Sequence, residues 1–106
     1  MNIDYQKLDA RIDELKDELI ADIQAWVAVP SVQSAPLPGK PFGENNAKML
    51  ALALDTAKRF GFETRNADNY DGDVTMGSGE QTLGILAHLD VVPAGEGWQQ
   101  IGRAHV

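Results

Sequence analysis

Apolar residues recur along the first part of the chain at steps of four and three: Leu8, Ile12, Leu15, Leu19, Ile23 and Trp26. That spacing lines one face of a helix, while Asp9, Asp13, Lys16, Asp17 and Asp22 fall off the stripe. The pattern predicts a helix from Asp4 to Val29. Asp4 suits the N-cap, because its carboxylate can accept from the unpaired N–H groups of the first turn. Pro30 ends the run, because it has no N–H to donate. The stripe reads as a packing face, with no metal or cofactor role.

Four of the five prolines (Pro30, Pro36, Pro38, Pro41) then fall together with Gly39 and Gly43. Prolines fix φ and remove donors, so neither a helix nor a central strand runs through residues 30–43. The result is a loop of about 14 residues, long for an ordinary connection; it either lines a cleft or wraps the surface. A second helix is predicted from Glu44 to Phe60, with Ala47, Leu50, Ala51, Leu54, Ala57 and Phe60 on its buried face. Gly61 suits the left-handed position just past its end.

From Phe62 the period falls to two. Phe62, Thr64 and Asn66 alternate with Glu63 and Arg65, which predicts a short strand. Asn69-Tyr70-Asp71-Gly72 carries turn chemistry, strongest at Asp71-Gly72, and Asp73 to Gly77 is a candidate partner strand. After a turn at Gly79-Glu80-Gln81, Thr82 to Ala87 is nearly all apolar, as expected of a strand covered on both faces. Two helices followed by strands of an incomplete sheet predict a layered α/β fold.

Composition narrows the partners. Hydrophobic residues make up 43% and charged residues 24%, values of a folded globular chain. The net charge of -7, from 16 acidic and 9 basic residues, argues against nucleic acid and against an anionic membrane surface, since both are held by clustered Lys and Arg. There are no cysteines, so disulfides, thiolate ligands and a thiol nucleophile are excluded. No signal peptide and no apolar run near the ~20 residues of a membrane span is visible. The expected location is the cytoplasm; the oligomeric state is not encoded in any recognisable feature.

Candidate chemistry sits at the end of the apolar run, in Ala87-His88-Leu89-Asp90-Val91-Val92-Pro93-Ala94-Gly95-Glu96-Gly97-Trp98. Residues two apart on a strand share a face, so His88 and Asp90 are expected to project together from the strand's carboxyl end, where open α/β sheets place ligands. A neutral imidazole is a good metal ligand, and a ligating His usually donates its second ring N–H to a carboxylate or carbonyl. On the residues alone the pair reads in two ways: a metal ligand with its orienting carboxylate, or a simple strand-end hydrogen bond. Pro93 stops the strand, and Gly95 and Gly97 allow a sharp turn beside the pair.

The string His88-Leu89-Asp90-Val91-Val92-Pro93-Ala94-Gly95, after an apolar strand and before Gly97-Trp98, resembles the first metal-binding motif of the M20 metallopeptidases. Within that family it looks most like the PepV-type dipeptidases, which are similar to Xaa-His dipeptidases and carnosinases. Trp26 to Ser31, Lys58 to Phe62, Asn69-Tyr70 and Gly77 to Glu80 extend the resemblance, which covers roughly Tyr5 to Trp98. It implies that residues 1–98 are the N-terminal part of a zinc-peptidase catalytic domain. It also implies that His88 ligates one ion of a two-metal centre, usually zinc and in some members manganese or cobalt. Asp90 is then the carboxylate counted as catalytic, and the substrate is a dipeptide. The remaining ligands and the Glu that serves as general base are absent from this chain, so Glu80 and Glu96 are given no such role and the chain by itself is expected to be inactive. Other M20 amidohydrolases (deacylases, desuccinylases, aminopeptidases) and a non-catalytic α/β module are the competing readings.

After Trp98 the chain departs from the family's pattern. Ile101 to Val106 is what ATC-GGA-AGA-GCA-CAC-GTC encodes, a string that resembles a sequencing-library adapter. Residues 101–106 are therefore expected to be a non-native tail, and His105 and Arg103 are given no role. The idea requires the Gln100 codon to end in AG, and a CAA codon there would defeat it.

Overall fold

The computed structural model describes residues 2–99. The expected tail at 101–106, with Arg103 and His105, lies outside the described residues. Within them, helix α1 (Tyr5–Val27) and helix α2 (Glu44–Arg59) precede strands β1 (Glu63–Ala67) and β2 (Asp71–Thr75). The order is that of an α/β chain, helices first. No helix is long and apolar enough to cross a membrane among the described residues.

Asp4 caps α1 as its chemistry requires, its carboxylate accepting from the Lys7 N–H at 3.1 Å. The helix ends two residues earlier than predicted, at Val27. Its apolar stripe is only partly covered. Leu8, Ile12, Leu19 and Ile23 are exposed, while Leu15 and Trp26 are half-buried. The shorter α2 reaches α1 through Trp26 with Thr56 and through Arg59 with Glu18 and Asp22, which leaves much of the stripe without a partner among the described residues.

Helix α2 is the centre of the fold, packing against both strands and against α1. Its core residues are Met49, Leu50, Leu54 and Ala57. Met49 was not on the predicted face, whereas Ala51 and Phe60 were and are exposed. The buried stripe keeps Leu50, Leu54 and Ala57 and shifts toward Met49, because α2 packs against both the hairpin and α1. Past its end, the Gly61 N–H donates to Lys58 C=O at 2.9 Å and the Phe62 N–H to Ala57 C=O at 3.1 Å. That pair of bonds closes the last turn and sends the chain into β1.

β1 and β2 form an antiparallel hairpin with Arg65 opposite Asp73 and Asn66 opposite Gly72. The turn lies at 68–70, two residues earlier than Asp71-Gly72 suggested. Asp68 and Asn69 take the left-handed conformation, with φ 52° and 61°, and the Asn69 N–H donates to the Asn66 side chain at 2.8 Å. Asn and Asp tolerate that region because their short polar side chains bond locally. Gly72 is instead a packing residue. A Cβ there would lie 2.9 Å from Leu50 Cδ1 and 3.0 Å from Leu54 Cδ2, so its absence lets the hairpin press against α2.

The loop of 30–43 is ordered by its own bonds. Leu37 and Lys40 exchange backbone bonds of 3.0 and 2.9 Å, and the Phe42 ring meets Tyr70 edge-on at 5.7 Å. Asn69 Nδ2 donates to Gly39 C=O at 2.9 Å, docking the loop on the hairpin turn. The Pro36, Leu37, Phe42 and Tyr70 side chains line an open groove there.

The largest departure from expectation is Thr82 to Ala87, which forms no strand. Leu83 and Ile85 are each 85% exposed and Leu86 is fully exposed at 101%. An apolar strand is stable only with neighbours to share its N–H and C=O groups and cover its faces. The hairpin, the only sheet among the described residues, offers it neither.

Candidate metal-ligand site

His88 and Asp90 do meet, though not as two residues on one face of a strand. His88 Nδ1 lies 3.0 Å from the Asp90 carbonyl oxygen and 3.2 Å from Asp90 Oδ1. Both neighbours are acceptors, so Nδ1 carries the proton and donates to them. The lone pair of the neutral ring is then on Nε2, which has no partner among the described residues. The imidazole is 83% exposed, so Nε2 is open to an incoming ion.

The pair is held from upstream. Directly after α1, Ser31 is buried, its Oγ donating to the Leu89 carbonyl at 2.9 Å. The Val91 N–H donates to the Ser31 carbonyl at 3.0 Å, and Val32 and Val91 form a parallel bridge. The first residues of the proline-rich loop thus serve the site, while the rest of the loop docks on the hairpin. The sequence pattern offers this loop as a cleft lining or a surface wrap and does not mark Ser31 as a partner of the site. The one available signal was a small polar residue placed between Pro30 and an apolar Val32, where a buried hydroxyl must find an acceptor. On the far side the Trp98 indole N–H donates to Ala94 C=O at 2.6 Å, across Gly95 and Gly97 with φ of 76° and 86°.

The donor set fits one imidazole ligand and its orienting carboxylate. It does not complete a metal centre: no group of three or more His, Cys, Asp or Glu side chains able to hold an ion occurs among the described residues, and a catalytic zinc needs about three protein ligands. Glu80 and Glu96 are not drawn to the pair by any hydrogen bond or ion pair described. The site is also not a cleft here, since the groove at Pro36 and Tyr70 has neither His88 nor Asp90 in its lining.

No family model matches the chain. Among individual proteins it is similar to "Putative dipeptidase YtjP" of Bacillus subtilis, 40% identical over 85 residues that make up 78% of this chain and 18% of that protein. It is 36% identical over 100 residues to the Beta-Ala-Xaa dipeptidase of Lactobacillus delbrueckii subsp. lactis, covering 92% of this chain and 21% of the relative. A Staphylococcus aureus (strain USA300) protein named "Putative dipeptidase SAUSA300_1697" is 36% identical over 90 residues, 83% of this chain and 19% of its own length. The chain thus spans about a fifth of the length of the curated relatives it matches.

Proposed function

We propose that this chain is the N-terminal portion of a cytoplasmic, metal-dependent dipeptidase of the M20 type, PepV branch, acting on dipeptides. In this reading His88 is a ligand, through Nε2, to one of two divalent ions, zinc first and manganese or cobalt next. Asp90 fixes the ring by accepting from Nδ1. The observation that carries it is the Nδ1 contact with Asp90, which leaves Nε2 as an exposed lone pair in a segment similar to proteins named dipeptidases.

The chemistry that ions supply at such a centre is a water made nucleophilic near neutral pH and a polarised scissile carbonyl. What the residues of this chain contribute is narrower. Asp90 sets the tautomer of His88 and strengthens Nε2 as a donor. Ser31 and Val32 hold the backbone that carries both. The other ligands and the base that moves the proton come from sequence beyond these residues, and the 106-residue chain alone is expected to hydrolyse no dipeptide.

The test uses the longer protein that carries this segment. Dipeptide hydrolysis should be lost with a chelator, be restored by Zn²⁺ or Mn²⁺, and be abolished by His88→Ala. Asp90→Asn should weaken metal binding by roughly 10- to 100-fold. Hydrolysis that survives both the chelator and His88→Ala would overturn the reading, as would chelator-sensitive turnover by residues 1–106 alone.

A further inference from the structure

A solvent-exposed contact between residues two apart is weak by itself. Exposed charged or polar pairs contribute little, and the side chains of His88 and Asp90 are 83% and 57% exposed. For the Asp90 carbonyl and Oδ1 to converge on one nitrogen, the backbone through 89–91 must already hold its shape. Ser31 is placed to do that. It is the buried polar residue of the described chain, at 3% exposure. A buried hydroxyl without a partner is costly, so its bond to Leu89 C=O is kept. Its own carbonyl takes the Val91 N–H. The two bonds grip the chain immediately before and immediately after Asp90.

We propose that Ser31 is a positioning residue: it clamps the backbone on both sides of Asp90 and thereby fixes the His88 ring with Nδ1 protonated and Nε2 bare. The consequence for metal capture rests on the function proposed above, whereas the control of the ring does not. Removing the hydroxyl frees the Leu89 carbonyl, loosens the 89–91 backbone and lets the imidazole return toward the tautomer it prefers in water.

The experiment reads the tautomer of His88 in the 106-residue chain by two-bond ¹H–¹⁵N imidazole correlation, at a pH about two units above the free imidazole value. His105→Ala removes the second imidazole signal. The unsubstituted clamp should give mainly the Nδ1–H form. Ser31→Ala should move the tautomer ratio toward Nε2–H by about threefold or more, a size that loss of one net hydrogen bond supports. The amide positions of Met49, Leu54 and Gly72 should stay in place. In the longer protein that carries the other ligands, Ser31→Ala should weaken Zn²⁺ binding by on the order of tenfold, as for loss of an outer partner. Should Ser31→Ala lose the fold, Ser31→Cys, similar in size but a weaker donor, should give an intermediate ratio.

An unchanged tautomer ratio in a folded Ser31→Ala or Ser31→Cys chain overturns the assignment, even if the melting temperature drops, because a merely structural serine would lower stability alone. A ratio that shifts with Ser31 while dipeptide hydrolysis by the longer protein survives both a chelator and His88→Ala upholds the clamp and sinks the metal reading instead.

Discussion

Trp26 and Thr56 join the two helices through a single hydrogen bond, the indole N–H donating to the Thr56 hydroxyl at 3.2 Å. That hydroxyl donates in turn to the Leu52 carbonyl at 2.9 Å, one helical turn back. The chain of donors is complete only with both residues in place.

Thr56→Val keeps the shape and removes the acceptor, leaving the half-buried indole N–H without a partner. A loss of about 1 kcal/mol is expected, read as a lower urea midpoint with an unchanged slope. In a double-mutant cycle, Trp26→Phe with Thr56→Val should cost less than the two single changes added together. Strict additivity would show that the bond does not couple the helices.

Two glycines should respond unequally to alanine. At Gly72 the new methyl meets Leu50 and Leu54 side-chain ends at 2.9 and 3.0 Å, which can shift, so about 1 kcal/mol is expected. At Gly43 φ is 92° and the methyl would fall 1.8 Å from Ser34 Oγ, so strain and collision add and about 2 kcal/mol or more is expected. Thermal melts of the two variants rank them, and a Gly43→Ala protein as stable as Gly72→Ala would contradict the geometry.

The Lys40 ammonium, first by its hydrogen bond and then by its charge, holds the Glu44 carboxyl below its ordinary range. A carboxyl whose folded value is depressed favours the folded state above the unfolded value and gives that advantage up as pH falls through the folded one. Stability of the parent chain should therefore decline more than that of Glu44→Gln as pH falls below the ordinary glutamate value of about 4.3. The difference should shrink in high salt, since the pair is exposed. Parallel acid curves for the two proteins would show that the pair contributes nothing.

Leu83, Ile85 and Leu86 form an exposed apolar run in a stretch that belongs to no helix or strand. Such a run invites association with other copies. The 106-residue chain should scatter light increasingly with concentration, and Ile85→Lys with Leu86→Lys should suppress this without moving the amides of α2. Equal scattering by both proteins would place the sticky surface elsewhere, α1 being the next candidate.

What the sequence disclosed follows the range of each interaction. The Asp4 cap, both helices and the turn-rich hairpin depend on residues a few positions apart, and they stand within two residues of expectation. The misplaced turn came from treating Asp71-Gly72 as local chemistry when Gly72 answers to Leu50 and Leu54. Thr82 to Ala87 was legible as apolar and β-prone, yet strand formation is a property of neighbours that these residues lack. His88 and Asp90 were singled out from chemistry and resemblance, and their contact is real. The grip of Ser31 on Leu89 and Val91 was invisible, because nothing in a short window announces a partner so far along the chain.

That distance has a kinetic side. Ser31 and Leu89 are 58 positions apart, whereas the helices and the hairpin close over short spans. Short loops form early and long ones late, so the imidazole should be the last part of this chain to reach its final orientation and the first to lose it. Transient local opening would release it while α2 and its core remain intact.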